Sequence, residues 1–97
     1  MGIEYRAAFK GATPETKDTI LRAAPCFARF LQEYGLYEYR SPHNQDYRQM
    51  SDLDMAIEPS GFYFCEHGDD TVFDAVVAYI RSIIKATGQP FILDDDV

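Results

Sequence analysis

The sequence predicts an α+β domain, a two-layer sandwich in which an antiparallel sheet carries two helices on one face. Three observations predict it: a strand pattern of period two at the start of the chain, two segments of helical period, and short aromatic segments between and after them. The resulting order is that of a ferredoxin-like βαββαβ arrangement, to which a hairpin at residues 55–66 would add one strand. Because the chain has 97 residues, of which 46% are hydrophobic, we expect one domain covering residues 1–97.

The first strand is predicted from alternation at residues 3–9. One face is apolar and the other is mostly charged, which is typical of a strand with one face in solvent. The apolar face consists of Ile3, Tyr5, Ala7 and Phe9, and the opposite face of Glu4, Arg6, Ala8 and Lys10.

The first helix is predicted to begin at Pro14, with Thr13 as its N-cap, and to end at Gly35. Its apolar stripe contains Ile20, Ala24, Phe27 and Leu31. Pro25 lies inside this stripe. Because proline removes a backbone hydrogen bond and clashes with the preceding turn, we expect a kink or a two-piece helix near residues 23–25.

The middle of the chain predicts strands and a long loop. Residues 36–40 form a short aromatic strand, and the polar residues 41–54 form either a mobile hairpin loop or a recognition loop. Residues 55–58 and 62–66 fit either a hairpin or one strand with a bulge at Gly61. The aromatic content of the second segment favours a central place in the sheet.

The second helix is predicted at residues 71–87, where apolar residues cover more than half of the surface. Asp69 or Asp70 is its cap, and Gly88 takes the C′ position. A short strand is expected at residues 91–93. The acidic residues 94–97 that follow are expected to form a solvated, frayed end.

Composition excludes several classes of function. A net charge of −7 argues against binding to nucleic acid phosphates or to an anionic membrane. No apolar stretch is long enough for a membrane span, and two cysteines do not make a disulfide framework. We therefore expect a cytoplasmic protein with reduced thiols.

No motif identifies a catalytic or metal site. On a strand, Cys65 and His67 would lie on one face at a spacing that two metal ligands could use, but no second pair completes a site. Burial of the thiol and helix capping by Asp69 or Asp70 explain these residues instead. A nucleophile would require Cys26 or Cys65 beside a histidine, which the sequence does not indicate. We predict no catalytic residue, cofactor or metal.

The charge distribution is the least ordinary feature. The chain has seven basic and six acidic residues up to Arg48, but two basic and ten acidic residues from Gln49 onward. Acidic loops that converge at one edge of a sheet would steer a basic partner, although a surface that only maintains solubility is an alternative. The proposed steering residues are Asp52, Asp54, Glu58, Glu66, Asp69 and Asp70.

These patterns lead to a functional hypothesis. We predict a small acidic, non-enzymatic binding protein, such as an inhibitor, an immunity-type protein or a regulatory partner of a basic protein. Tyr47 and Arg48 would be short-range anchors, because tyrosine and arginine are frequent hot-spot residues, and Asp52 and Asp54 would contribute the charge. The alternatives are a small-molecule-binding or enzymatic module and a homodimeric structural subunit.

Overall fold

The computed structural model describes residues 2–96, the side chain of Asp96 excepted. In this range it contains six strands and two helices. They are β1 (Ile3–Ala8), α1 (Pro14–Ala23), β2 (Phe27–Leu31), β3 (Leu36–Tyr39), β4 (Leu53–Glu58), β5 (Gly61–Glu66), α2 (Asp70–Ala86) and β6 (Leu93–Asp96). The strands form one open sheet in the order β2-β3-β4-β5-β1-β6, and every neighbouring pair is antiparallel.

The α+β class with an antiparallel sheet and two helices is therefore confirmed. The specific ferredoxin-like order is not, because four consecutive strands rather than two separate the helices. Apolar side chains of both helices join those of one sheet face in a single core. The buried residues are Ala7, Phe9, Leu21, Ala24, Tyr37, Tyr39, Leu53, Met55, Phe62, Phe64, Val72, Val76, Ile80 and Ile84.

The predicted start of the first helix is confirmed. Pro14 is the first residue of α1, and the Thr13 hydroxyl accepts a hydrogen bond of 3.1 Å from the backbone N–H of Thr16. This bond satisfies one of the free N–H groups of the first turn. Lys17, one turn further, is 2% exposed and donates its Nζ to the carbonyl of Glu58 at 2.6 Å, so α1 is fastened to the β4–β5 turn.

The predicted continuation of this helix to Gly35 is wrong. α1 ends at Ala23, and the segment that contains Phe27 and Leu31 is strand β2. Pro25 disfavours helical geometry at Ala24, whose ψ is 152°. Cys26 has a φ of 65°, and the backbone N–H of Phe27 bonds to the Ala24 carbonyl at 3.4 Å. Proline followed by a residue of positive φ is typical of a type II turn, so the chain reverses where a kink was expected.

Residues 53–66 form a hairpin rather than one bulged strand. β4 and β5 pair from Leu53 opposite Glu66 to Glu58 opposite Gly61. β5 also pairs with β1 and is central, as its aromatic residues predicted. A Cβ at Gly61 would overlap the carbonyl oxygen of Ala7 and lie 2.7 Å from the backbone nitrogen of Phe9. Glycine therefore allows the hairpin turn to approach β1.

The end of the chain differs from its prediction. The second helix is confirmed as α2, capped by the Asp69 side chain, which accepts from the N–H of Thr71. The strand expected at residues 91–93 instead runs from Leu93 to Asp96, so the expectation of a frayed acidic end at residues 94–96 is wrong. This segment pairs with β1, which satisfies its backbone groups. Val97 lies outside the described residues. No helix within the described range is long and apolar enough to cross a membrane.

Candidate functional site

The loop between β3 and β4 carries Tyr47 and lies against the sheet face opposite the helices. Tyr39 points into the core, so its neighbour Arg40 lies on the outer face, as does Arg29 beside Glu38. The Tyr47 ring lies against both guanidinium groups, with its centroid 4.5 Å from the Cζ of Arg29 and 4.4 Å from that of Arg40. These cation–π contacts fix the loop, yet Tyr47 keeps 40% of its surface exposed.

The buried side chain of Arg40 holds this loop in place through hydrogen bonds. Its guanidinium is buried and donates to the carbonyls of Asp46 at 3.1 Å and Gln49 at 2.8 Å, and to the Asn44 side chain at 3.2 Å. Glu38 lies 3.6 Å away as a partly compensating charge. The loop is therefore an ordered structure built around a buried arginine, and the prediction of a mobile loop is not supported by these contacts.

Asp52 is part of this internal structure. It is 7% exposed, and its carboxylate accepts hydrogen bonds from the N–H groups of Ser41 (2.8 Å) and Asp69 (3.1 Å) and from the Asn44 side chain (3.1 Å). Burial alone would raise the pKa of Asp52, but these bonds and nearby Arg40 outweigh it and hold the pKa below its usual value. Asp52 thus ties the loop to the start of α2.

Asp54 lies on β4 and is half-buried. Its carboxylate accepts from the Ser51 hydroxyl at 2.5 Å and lies 3.0 Å from Nε2 of His67. Register places Cys65 directly opposite it on β5. A Cβ at Gly2 would overlap the Cys65 thiol and lie 2.9 Å from Nδ1 of His67, so thiol and ring share one small space.

Cys65, His67 and Asp54 lie in the order of a nucleophile, a base and an orienting carboxylate, but the properties of the Cys65 thiol do not favour a nucleophile. Burial raises the pKa of the Cys65 thiol, whereas a reactive cysteine requires a lowered one. Within residues 2–96, no cluster of three His, Cys, Asp or Glu side chains has a geometry that could hold a metal ion. Cys26 is half-buried in the turn before β2, and neither cysteine is in a disulfide.

The remaining residues predicted for partner binding and steering do not lie together in the structure. Arg48, whose side chain is 90% exposed, forms an ion pair of 3.0 Å with Asp46. Glu58 pairs with Arg6 at 3.0 Å, Asp69 caps α2, and Glu66 is 9% exposed. Of the six residues proposed for steering, Asp70 alone is exposed, and the others are buried or half-buried.

A different set of carboxylates comes together where β1 begins, β5 and β6 end, and α2 begins. We call this set, Glu66, Asp70, Asp74 and Asp95, the acidic end. Asp70 and Asp74 are one turn apart on α2, and Asp95 pairs with Tyr5 across β1 and β6. Burial raises the pKa of the Tyr5 hydroxyl, as do the charges of Glu66, Asp95 and Asp70 around it.

Glu66 is the innermost member of the acidic end. Burial is the main cause that raises its pKa to about 7, and its hydrogen bond with Asp70 and the charges of Asp70 and Asp74 add to this effect. Its Oε2 is buried and has no hydrogen-bond partner within the described residues. Sequence reasoning included Glu66 and Asp70 but missed Asp74 and Asp95. The four-residue spacing on α2 could have indicated Asp74, whereas Asp95 required the pairing of β6.

The exposed basic residues of α2, and Lys10 after β1, lie away from the acidic end. Arg81 and Lys85 occupy the last turns of α2, and Lys10 follows β1 at the end opposite to its start. Because α2 begins at the acidic end, its dipole places partial positive charge beside Asp70 and stabilises the carboxylate there. The surface charge therefore changes sign along α2.

Two open cavities lie away from the acidic end. One, of about 380 Å³, is lined by Ala12, Pro14, Lys17, Ile57, Glu58 and Pro59. The other, of about 390 Å³, is lined by Ala8, Lys10, Gly88, Gln89, Pro90 and Ile92. In the first, the Lys17 amine already donates to the Glu58 carbonyl and the Glu58 carboxylate pairs with Arg6, so both groups are used within the fold.

Comparison with known proteins adds no further assignment: no family model, curated protein or solved structure matches this chain at a significant level.

Proposed function

We propose that this protein is a small acidic, non-enzymatic binding protein whose physiological partner is a basic protein. The observation that carries the proposal is the acidic end. Within the described residues, no basic side chain forms an ion pair with its four carboxylates, whereas Asp18, Glu38, Asp46 and Glu58 each have an arginine partner.

The unpaired charge favours recognition over solubility alone. Carboxylates that are brought together at the start of one helix produce a local negative field, which steers a cation before contact. Charges dispersed for solubility have no need to share one end of the molecule. The inhibitor, immunity-type and regulatory roles are all consistent with such a surface.

The loop between β3 and β4 supplies the proposed short-range anchors. Tyr47 presents part of its ring while two guanidinium groups hold it in place, so little conformational entropy is lost when a partner packs on it. Arg48 is exposed beside it. Asp52 and Asp54 would act indirectly, by holding the loop, since their carboxylates already bond within the protein.

We also propose that strands β4, β5, β1 and β6 with the two helices form a ferredoxin-like unit, to which the β2–β3 hairpin is added at one edge. The neighbour order β4-β5-β1-β6 and its antiparallel pairing support this interpretation.

The test of function is a pull-down with matched charge reversals. The variant Asp70→Lys/Asp74→Lys reverses the exposed negative charge at the start of α2. The control Glu15→Lys/Glu33→Lys changes the net charge equally on exposed residues, and Glu15 also lies in the first turn of a helix. We expect one basic protein to be retained by the wild type and the control and lost by the first variant. Reversal of Asp52 or Asp54 is unsuitable because it would disrupt the loop.

The captured partner then allows a kinetic test. We expect its association rate to fall on the order of tenfold between low and high salt, because screening shortens to about 8 Å at 0.15 M, while dissociation changes less. If every variant captures the same proteins, or if association ignores salt, the negative charge serves solubility only and the proposal is wrong.

A further inference from the structure

We propose that the exposed side of α2 is a docking surface for α2 of a second copy of this chain, packed antiparallel across a two-fold axis between Val77 and Ala78. The proposed contact is separate from the proposed function, because it requires only two copies of this chain and no basic partner.

Four exposed charged residues form one line along α2: Asp70, Asp74, Arg81 and Lys85. On a helix of about 3.6 residues per turn, their positions fall within about 60° of the circumference, so they share one side. The residues that α2 buries in the core lie on another side: Val72, Val76, Ile80 and Ile84. A second helix could therefore lie along the charged line without displacing the core. We call Asp74 and Arg81 the inner pair, and Asp70 and Lys85 the outer pair.

The order of the charges matches an antiparallel second copy. The inner and outer pairs are both centred on the same point, between Val77 and Ala78. A two-fold axis at this point places Asp74 opposite Arg81 of the second copy, and it brings the opposite charges of the outer pair together in the same way. A parallel arrangement of the two helices would place like charges opposite each other instead. The charge complementarity therefore favours a second copy of the chain in the antiparallel direction.

Within one copy, the two basic residues of this line have no acidic partner. No carboxylate among the described residues forms an ion pair with Arg81 or Lys85. Residues four apart are neighbours on a helix, so Asp70 lies beside Asp74, and Arg81 lies beside Lys85. Like charges at this spacing destabilise a helix. An antiparallel copy would offset both repulsions, because it places opposite charges beside each of these pairs.

The helix dipole explains only the outer pair. It favours acidic residues at the start of a helix and basic residues at its end, and its effect is confined to the first and last turns. Asp70 and Lys85 lie in those turns of α2. Asp74 and Arg81 lie outside them, so the dipole does not account for the sign of either charge. Both signs are those that the antiparallel contact requires.

The residues at the proposed axis allow the two helices to approach. Ala78 is exposed and small, and Val77 is half-buried, so neither holds the helices apart. A contact of one helix from each copy is small beside the roughly 1,200–2,000 Å² of a standard interface, and the dimer should dissociate on dilution. Because the contact would cover Asp70 and Asp74 of the acidic end, self-association and the proposed basic partner would compete for the same carboxylates.

The test measures the mass of the full chain by sedimentation equilibrium, over concentrations up to about 1 mM. We expect the wild type to approach twice the monomer mass at low salt, and its dissociation constant to rise at least about tenfold in 0.5 M salt, where exposed charges are screened. The variants Asp74→Arg and Arg81→Asp each place like charges across the contact and should raise the constant by a similar factor. Glu15→Arg, an exposed charge change on α1, should dimerise as the wild type does.

Mixing the two charge variants gives the sharpest result. One copy with Asp74→Arg and one with Arg81→Asp regain opposite charges at both inner positions, so an equimolar mixture should dimerise although each variant alone does not. The axis itself is tested by Ala78→Lys, which places two lysines across it and should prevent dimerisation. Its matched control, Ala75→Lys, is an exposed substitution on another side of α2 and should have no effect.

A dilution series of the ¹⁵N-labelled chain locates the contact. We expect concentration-dependent shifts of backbone amides in residues 70–85. The proposal is wrong if the wild type stays monomeric up to about 1 mM at low salt, if Asp74→Arg or Ala78→Lys dimerises as the wild type does, or if mixing the charge variants restores nothing. Shifts confined to the edge strand β2 would assign the dimer to another surface and would also refute it.

Discussion

Replacing Glu66 by glutamine should make the protein more stable at neutral pH. The substitution keeps the shape of the side chain and removes its ability to ionise. In the folded protein the pKa of Glu66 is about 7, against 4.5 for an ordinary glutamate, because burial, Asp70 and Asp74 all oppose the charge. At a pH between 4.5 and about 7, Glu66 holds a proton in the folded state that it has released in the unfolded state. Stability therefore falls as pH rises from about 4.5 to 7, and remains lower above pH 7.

The magnitude follows from the shift. Each pH unit corresponds to about 1.4 kcal/mol, so the ionisation of Glu66 lowers the free energy of unfolding by roughly 3 kcal/mol at pH 8. Glutamine is neutral at every pH and avoids this loss. We expect Glu66→Gln to be close to neutral at pH 5 and more stable by up to about 3 kcal/mol at pH 8.

Urea unfolding at pH 5, 6.5 and 8 measures the effect, followed by far-UV circular dichroism because the chain has no tryptophan. Glu15→Gln, an exposed carboxylate in α1, is the matched control and should show no such difference between pH values. Equal destabilisation of Glu66→Gln at all three pH values would refute the reasoning, because it would mean that Glu66 is ionised and stabilising throughout.

Three further substitutions test the fold and the loop. Asp52→Asn should destabilise the protein by about 2–3 kcal/mol above pH 4, because the neutral amide oxygen accepts weaker bonds and the amide NH₂ would face the N–H donor of either Ser41 or Asp69. Urea unfolding measures this change. Tyr47→Ala should destabilise the protein by about 1 kcal/mol and speed amide hydrogen exchange in residues 42–50 alone, since it removes the ring that contacts two guanidinium groups. Uniform acceleration across the sheet would contradict that role. Pro25→Ala should destabilise by about 0.4–1 kcal/mol in thermal melts, because Pro25 restricts the unfolded chain in a turn outside the helix, and a stabilised variant would show that the turn is strained.

The sequence was most informative where local chemistry and tertiary packing agree. The Thr13-Pro14 start of α1 and the apolar surface of α2 are encoded by caps and periodicity, and both were predicted within a residue or two. The segment after Pro25 was misassigned because Phe27 and Leu31 have a spacing that fits a helix, while the turn that ends the helix depends on the positive φ of Cys26. Periodicity does not report such a backbone conformation.

The candidate site could likewise be predicted only in part from the sequence. The sequence shows that carboxylates are abundant in its second half and have few basic neighbours there. It does not show which of these carboxylates form hydrogen bonds within the protein. Asp52 was proposed as a surface charge and proved to be a buried acceptor, because its donors, Ser41 and Asp69, come from segments distant in the chain. Asp95 joined the acidic end only through the pairing of β6 with β1.

Strand β6 forms one edge of the sheet and carries an unusual density of negative charge. An edge strand exposes unpaired N–H and C=O groups, and a second copy could extend the sheet by adding its own edge there. Asp94 and Asp95 of β6 would bring like charges close together in such a pairing, at the roughly 5 Å spacing of neighbouring strands. The opposite edge, β2, carries Phe27, Phe30 and Leu31 and a single charge, Arg29, and has no comparable repulsion. Like-charge repulsion therefore disfavours the pairing of one β6 edge with the β6 edge of a second copy.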